Sequence, residues 1–293
     1  MKKKLFTLLL AFVAIATARA QVVLNEKNFP DANFRAALAE ELGISEGDEI
    51  TEAKIEATTE LYVIEESIAD LTGIEHFTAL IRLCCPDNQL TALDVSKNTA
   101  LIELWCPDNQ LTALDVSKNT ALTYLSCEDN QLTAIDVSKN TALTSLRCYS
   151  NQLTALDVSK NTALTYLSCE DIQLTALDVS KNTALDFLCC DNNQLTALDV
   201  SKNTALTTLV CHGNQLTSLD VSKNTALKLL ACFSNKIKNA EMDALVASLP
   251  TVESGEFYVI NTKDANEGNI CTKSHVAIAE GKGWTVINYG EEE

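Results

Sequence analysis

Positively charged residues are scarce in this sequence. The 293-residue chain has 22 Lys and Arg against 40 Asp and Glu, which gives a formal net charge of −18 at pH 7. Nucleic acids and anionic lipid surfaces are bound by positively charged patches, and a strongly acidic surface repels both. The composition therefore excludes nucleic-acid binding, and we expect no nucleic-acid partner.

The sequence also has few of the residues and motifs on which common catalytic sites depend. Its three histidines, His76, His212 and His275, lie in no HExxH motif and in no recognisable triad. It contains no GxSxG motif, no phosphate-binding Walker loop and no glycine-rich dinucleotide loop. We therefore expect a protein that is not an enzyme and that binds no cofactor.

The sequence has one long apolar run, which lies near the N-terminus. Leu5–Ala16 is apolar, follows three lysines and precedes the small-residue sequence Ala-Arg-Ala. This pattern predicts a secretory signal peptide over residues 1–20, cleaved after Ala20, and not a membrane-spanning helix. Without the signal peptide, which holds four basic residues and no acidic one, the chain has 18 basic and 40 acidic residues and a net charge of −22. We expect a periplasmic, extracellular or cell-surface protein without membrane insertion.

A 21-residue repeat occupies the middle of the chain. Each coil reads LxxLxCxxNxL and then TxLDVSKNTA, and eight coils run from residue 80 to about residue 247. A fixed period of this length is typical of a solenoid, in which each coil packs only on its neighbours. The cysteines that mark the period, each 21 residues from the next, are Cys85, Cys106, Cys127, Cys148, Cys169, Cys190, Cys211 and Cys232.

These motifs resemble the leucine-rich repeat, with cysteine at a position where leucine usually stands. The chain as a whole resembles the secreted, internalin-like bacterial leucine-rich repeat proteins. The resemblance implies an α/β repeat solenoid with a parallel β-sheet on one face, a small helical N-terminal cap and an α+β C-terminal cap. It also implies a non-enzymatic recognition protein, often one that acts in adhesion to host surfaces or other cells.

Helix and strand signals outside the repeats predict the remaining parts of the chain. Residues 21–58 are expected to form the helical N-terminal cap, whose first helix begins after Asp31 and stops at Gly43. Residues 59–79 are predicted to form one irregular coil before the eight repeats of residues 80–247. Residues 248–293 are predicted to form the α+β cap, whose first helix is capped by Asn239.

Alternation along each strand predicts which side chains face inward. In the second repeat Leu104 and Cys106 point into the core. Stacked coils lie about 4.8 Å apart, too far for a disulfide between neighbouring cysteines, so we expect buried free thiols. A straight column of thiols cannot surround zinc tetrahedrally, and we expect no metal site.

An asparagine follows each of these cysteines at the third position, except in the fifth repeat. Its side-chain amide is expected to satisfy backbone groups of neighbouring coils. Ile172 stands at this position in the fifth repeat, where we expect a local weak spot. The asparagine therefore predicts a structural role and not a catalytic one.

Acidic residues recur on the predicted convex side and in the caps. Seven of the eight repeats carry an aspartate and, three residues later, a lysine, as in Asp115 and Lys118. We favour carboxylates that cap turn N–H groups, with lysines offsetting their repulsion, over a calcium ladder. The acidic loops at residues 46–49 and 264–269 are likewise expected to be solvated polar loops rather than calcium sites.

The outward strand positions change from coil to coil, whereas the convex segment barely changes. We interpret the variable surface as a binding face for a protein or carbohydrate ligand, because exposed aromatic side chains give rigid contact area within a polar rim. The residues predicted to form this face are Arg82, Glu103, Trp105, Tyr124, Glu128, Arg147, Tyr149, Tyr166, Phe187, His212 and Phe233.

Three alternatives to a binding face remain open. The outward positions could simply be free to vary, and aromatic residues could accumulate at them because these residues favour β-strands. A secreted glycan hydrolase could use Glu128 and Glu170, which are roughly 9.6 Å apart at the coil spacing, although an open acidic face is not expected to raise a carboxyl pKa. The third alternative is a structural or assembly component whose caps and convex side pack with other molecules.

Overall fold

The computed structural model describes residues 21–290, which form one solenoid with a cap at each end. The predicted signal peptide over residues 1–20 lies outside the described residues. The predicted fold class is confirmed: a parallel-sheet solenoid of stacked coils with helices at its termini.

The N-terminal segment is a small helical unit tied to the first coil. The predicted helix start at Asp31 is confirmed, because its carboxylate accepts hydrogen bonds from the N–H groups of Asn33 and Phe34. The same carboxylate accepts from the N–H of Ala69, which joins the unit to the solenoid. The helix ends at Gly43, whose left-handed backbone (φ 59°) stops the chain from continuing. The elements are β1 (Val22–Val23), α1 (Ala32–Leu42), β2 (Glu49–Ile50) and α2 (Glu52–Ala57).

An 11-stranded parallel sheet lines one side of the solenoid. Equivalent residues of neighbouring repeats pair directly, as Leu83 does with Leu104, so each outward position forms a straight column. A 3₁₀ turn, Ile74–His76, lies in the coil that precedes the eight repeats. The coil strands are β3 (Glu60–Tyr62), β4 (Arg82–Cys84), β5 (Glu103–Trp105), β6 (Tyr124–Ser126), β7 (Ser145–Arg147), β8 (Tyr166–Ser168), β9 (Phe187–Cys189), β10 (Thr208–Val210) and β11 (Leu229–Ala231).

The chain turns inward after each strand through a residue with left-handed backbone. These residues have φ between 49° and 61° and directly precede the asparagine position. Asp, Asn and Gly tolerate this conformation better than branched residues do, which explains the choice of side chain. The positions are Asp87, Asp108, Asp129, Ser150, Asp171, Asn192, Gly213 and Ser234.

The predicted role of the asparagines is confirmed, and we call them the ladder asparagines. Asn109 is representative: its Nδ2 donates to the carbonyl of Cys85 in the previous coil at 3.0 Å. Its Oδ1 accepts from the N–H of Leu90, also in the previous coil, at 3.0 Å. Each repeat that carries a ladder asparagine is thereby hydrogen-bonded to the coil before it. The ladder asparagines are Asn88, Asn109, Asn130, Asn151, Asn193, Asn214 and Asn235.

A second asparagine ladder lies on the convex side and was missed by the sequence analysis. Asn119 is fully buried, and its Nδ2 donates to the carbonyls of Val95 and Asn98 at 3.0 and 2.9 Å. Its invariance within the repeated SKNTA motif was the available signal. Its fully buried equivalents are Asn98, Asn140, Asn161, Asn182, Asn203 and Asn224.

The cysteines at the 21-residue period are buried free thiols, as predicted. Each side chain lies in the interior between the sheet and the convex segment. The thiol of Cys85 also lies 3.4 Å from the carbonyl oxygen of Trp105 in the next coil. The S–H group is a weak hydrogen-bond donor, so this contact helps to orient the side chain but stabilises it little. The cysteine packs mainly as a small apolar group.

The convex aspartates cap the turns, as predicted. Oδ1 of Asp115 accepts from the N–H of Ser117 at 2.9 Å, and this hydrogen bond lowers the pKa of the exposed carboxyl group. The same contact recurs at Asp94, Asp136, Asp157, Asp178, Asp199 and Asp220.

The C-terminal cap continues the sheet of the repeats, because its first strand pairs in parallel with β11. Asn269 from the cap acts as a further rung of the ladder: its Oδ1 accepts from the N–H of Ile237 and its Nδ2 donates to the carbonyl of Cys232, both at 2.8 Å. The prediction that Asn239 caps the following helix with its side chain is wrong. Asn239 stands directly before the helix, but its side chain accepts no hydrogen bond from it. The elements are α3 (Ala240–Ser248), β12 (Gly255–Asn261), α4 (Lys273–Glu280) and β13 (Trp284–Tyr289).

Ile172 interrupts the ladder, and restoring asparagine should stabilise the protein. Within residues 21–290, the buried Leu153 has no ladder asparagine to receive its N–H. An unpaired buried N–H costs about 1–3 kcal/mol, and the side-chain oxygen of an asparagine at this position would accept from it. We expect Ile172→Asn to raise the free energy of unfolding by about 1 kcal/mol in urea titrations.

The reverse change is the matched control. Asn130→Ile should lower the free energy of unfolding by about 1–3 kcal/mol, because it leaves the N–H of Leu111 unpaired. It also removes one of the two side-chain donors to each of the carbonyls of Cys106 and Cys127. A loss of stability in Ile172→Asn would contradict the role assigned to the ladder.

Candidate ligand-binding face

The outward side chains of β4–β11 and of the residues two positions beyond each strand form a surface that we call the strand face. Parallel pairing in 21-residue register places its side chains in three columns, each about 4.8 Å from rung to rung. Neighbours in a column are therefore close enough to stack or to pair. All eleven predicted residues lie on this surface, and the structure groups most of them into three contact clusters.

The first cluster is an ion pair beside an aromatic stack. The guanidinium of Arg82 donates to both carboxylate oxygens of Glu103 at 2.8 Å, the bidentate geometry of a strong pair. The hydrogen bond from Arg82 holds the pKa of Glu103 below its usual value. Nε1 of Trp105 also donates to Glu103, and its ring stacks on Tyr124 with centroids 4.0 Å apart.

The second cluster is a three-membered stack in the middle of the face. The guanidinium carbon of Arg147 lies 5.0 Å from the ring centre of Tyr166. On its other side, Tyr166 stacks on Phe187 with centroids 4.4 Å apart and planes 2° apart. Tyr149 lies in the adjacent column, where burial raises its pKa to about 12. The side chains are half-buried by one another rather than freely exposed.

The third cluster closes the C-terminal end of the face around a pocket of about 600 Å³. His212 stacks on Phe233 at 4.1 Å, and Phe233 stacks on Tyr289 at 5.0 Å. Phe233 is therefore only 7 % exposed, so its predicted exposure was wrong. The cap contributes Tyr258 and Tyr289, which the sequence analysis missed because it did not predict that β12 and β13 join the same sheet.

The carboxyl groups of the third column are more buried than predicted. Glu128 is 5 % exposed and accepts a hydrogen bond from the hydroxyl of Ser126 at 2.6 Å. Glu170 repeats the arrangement with Ser168 at 2.7 Å. Burial raises the pKa of both carboxyl groups. The expectation that nothing on this face raises a carboxyl pKa was wrong, because the neighbouring side chains exclude water.

His212 also contacts Asp191, a residue that the sequence analysis did not include in the predicted binding face. Its Nε2 lies 3.4 Å from Oδ2 of Asp191, and burial lowers the pKa of the imidazole. The thiol of Cys189, which is outside the buried column, donates to Oδ1 of the same aspartate at 2.8 Å. The alternation of Cys189 and Asp191 on one side of the strand was the available signal.

No protein-family model matches the chain. Internalin J of Listeria monocytogenes serotype 4b (strain F2365) is 46% identical over 70 residues, 24% of this chain and 8% of that protein. The functional domain of InlJ from Listeria monocytogenes, which includes a cysteine ladder, superposes with a TM-score of 0.78 at 38% identity over 89% of this chain. This chain is an internalin-like leucine-rich repeat protein.

The internalin-like chain spans about half of that solved InlJ domain, 55% of its length. A more distant solved structure is the leucine-rich repeat ectodomain of the Arabidopsis thaliana membrane receptor kinase GASSHO1/SCHENGEN3, in complex with CASPARIAN STRIP INTEGRITY FACTOR 2. It matches with a TM-score of 0.62 at 22% identity, over 75% of this chain and 28% of that one, and shows the fold alone. None of the helices within residues 21–290 is both long and apolar enough to span a membrane.

Replacing Glu128 with glutamine tests the burial of its carboxyl group. Its folded pKa is raised, so protonation contributes stability that is complete below the unfolded value of about 4.5 and is lost as pH rises through the folded value. We expect Glu128→Gln to raise the melting temperature at pH 7 by about 2–4 °C. The difference should vanish near pH 4.

Glu103→Gln is the control of opposite sign. The folded pKa of Glu103 is lowered by Arg82, so its contribution to stability is present above the unfolded pKa and is lost as pH falls through the folded one. This variant should melt at a lower temperature than the parent at pH 7. Equal shifts in the two variants would contradict the environments described for these carboxyl groups.

Proposed function

We propose that this chain is a recognition protein that binds a protein ligand through its strand face. The observation that carries the proposal is the set of aromatic stacks aligned along the only strongly variable surface of the repeats. Stacked rings are rigid, so contact with a partner costs little side-chain entropy. The resemblance to InlJ supports a recognition role as well, since internalin-like proteins are not enzymes.

The stacking favours a protein ligand over a glycan. A sugar ring packs on the open face of an aromatic side chain, whereas Tyr166 is covered by Arg147 on one face and by Phe187 on the other. Phe233 is likewise held between His212 and Tyr289. The rings therefore present their edges outward, and edges suit the aliphatic and aromatic side chains of a protein.

Charge defines the kind of protein surface that fits. The third column carries Glu128, Glu170 and Asp191, and the whole chain has a net charge of −18. A partner with basic residues around an apolar anchor would be steered to the face and oriented on it. The pocket of about 600 Å³ at the C-terminal end is large enough to receive such an anchor.

The geometry gives less support to a glycan hydrolase. Inverting catalysis needs one protonated and one ionised carboxyl group, whose pKa values are pushed apart. Glu128 and Glu170 instead sit in matching surroundings, each with one serine hydroxyl, and burial raises the pKa of both. Two groups shifted in the same direction do not divide the roles of acid and base.

The location of this activity is also a proposal. The signal-peptide pattern of residues 1–20 supports export, and the resemblance to internalin-like proteins supports a place on the cell surface or in the medium. N-terminal sequencing of the exported protein should begin at Gln21. A chain that keeps Met1 and stays in the cytosol would contradict this placement.

A binding screen against host-cell proteins and a glycan array tests the proposed function. We expect a protein hit whose dissociation constant rises at least about 30-fold in a Trp105→Ala/Tyr124→Ala double variant, the effect of losing one interface hot spot. A Tyr166→Ala/Phe187→Ala variant should weaken the same hit. Binding should also weaken as salt is raised, because the acidic face steers the ligand.

The matched control lies on the opposite side of the solenoid. Lys118→Ala changes an exposed convex residue and should leave the dissociation constant unchanged. A hit that survives both aromatic variants but is lost in Lys118→Ala would move the site to the convex side. A hit found only on the glycan array would replace the proposed ligand class.

A further inference from the structure

Three side chains with metal-binding atoms converge near the C-terminal third of the strand face, and a histidine lies beside one of them. Ligand atoms of Glu170, Cys189 and Asp191 all lie within 4.8 Å of one another. Nε2 of His212 lies 3.4 Å from the second carboxylate oxygen of Asp191. Asp191 is only 7 % exposed, and the other side chains are half-buried around it.

Register and alternation explain the convergence. Glu170 and Asp191 are equivalent positions of adjacent coils, and His212 is the next position in the same column. Cys189 stands two residues before Asp191, so both point to the same side of the chain. The four residues thus come from two columns and three coils. Glu170, Cys189 and Asp191 bring their ligand atoms together from two columns, which the straight column of buried cysteines cannot do. His212 approaches the second carboxylate oxygen of Asp191 from the next coil.

The cluster carries negative charge that the chain does not balance. Among residues 21–290, the only ion-pair partner of Asp191 is His212, and Glu170 has no basic partner within salt-bridge distance. The Cys189 thiol points at Asp191, to whose Oδ1 it donates at 2.8 Å. Like charges buried together favour a bound cation.

We propose that Glu170, Cys189, Asp191 and His212 form a binding site for a zinc ion. A donor set of one sulfur, one imidazole nitrogen and two carboxylates is suited to zinc and not to calcium or magnesium, which take oxygen ligands only. The thiol of Cys189 binds as thiolate, so one zinc–sulfur bond forms and one proton leaves to solvent.

The observed distances are close to those that the metal requires. Two ligands of tetrahedral zinc are separated by about 3.3 Å for nitrogen and oxygen and about 3.5 Å for sulfur and oxygen. The His212–Asp191 distance of 3.4 Å already matches. The Cys189–Asp191 distance of 2.8 Å reflects the present thiol hydrogen bond. It lengthens when zinc replaces the proton between the two atoms.

Calorimetric titration of the full chain with zinc chloride tests the site. The protein is made without a polyhistidine tag and is treated with chelator first. We expect binding at one zinc per chain, with an affinity that falls at least tenfold in Cys189→Ser and in Asp191→Asn. Cobalt in place of zinc should give a thiolate-to-metal charge-transfer absorption that Cys189→Ser lacks. Circular dichroism confirms that each variant is folded.

Two matched controls separate this site from other thiols and carboxylates. Cys84 occupies the strand position of Cys189 in the first repeat, but its neighbour two residues on is Pro86, so Cys84→Ser should bind zinc like the parent. Glu128→Gln removes a buried carboxyl group of the same column and should also have no effect. Absence of stoichiometric binding, or binding retained in folded Cys189→Ser and Asp191→Asn, would overturn the proposal.

Discussion

Hydrogen bonds from buried asparagine amides to the backbone of the neighbouring coil are the interaction on which this solenoid depends. Short strands of three residues leave most of each coil without regular backbone pairing. Buried N–H and C=O groups must nevertheless find partners, and the ladder asparagines supply several per coil. A second ladder, represented by Asn119, does the same on the convex side. Leucines and free thiols then fill the space between the two ladders.

The binding face follows from this constraint. Because the ladders hold every coil in the same register, outward side chains stand about 4.8 Å apart along each column. That spacing is close to the distance at which aromatic rings stack, and the chain uses it at Tyr166 and Phe187 and at His212 and Phe233. Trp105 stacks diagonally, on Tyr124 of the adjacent column in the next coil. The surface is therefore ordered before any ligand arrives. The same register brings acidic side chains and Cys189 together, which a less regular fold would have to arrange through loops.

The repeat predicts the fold well and the chemistry of the face less well. Inward leucine, cysteine and asparagine follow from periodicity, since each position is seen eight times. Burial of Glu128 depends on the outward side chains of the adjacent coils that cover it, and the repeat motif does not specify these residues. The contacts of Asn269 and Tyr289 depend on a cap that continues the sheet. The cap has no sequence repeat from which this strand pairing could be predicted. The contact between Cys189, Asp191 and His212 depends on side-chain direction, which spacing alone does not provide.

Residue-resolved hydrogen exchange of the native protein tests the central role of the ladder most directly. The N–H groups of Leu132 and Leu174 donate to ladder asparagines, whereas the equivalent N–H of Leu153 meets Ile172. We expect the Leu153 amide to exchange faster than these two counterparts in the adjacent coils. Equal protection at all three positions would show that the stack is held by its packed core alone, and would contradict the account.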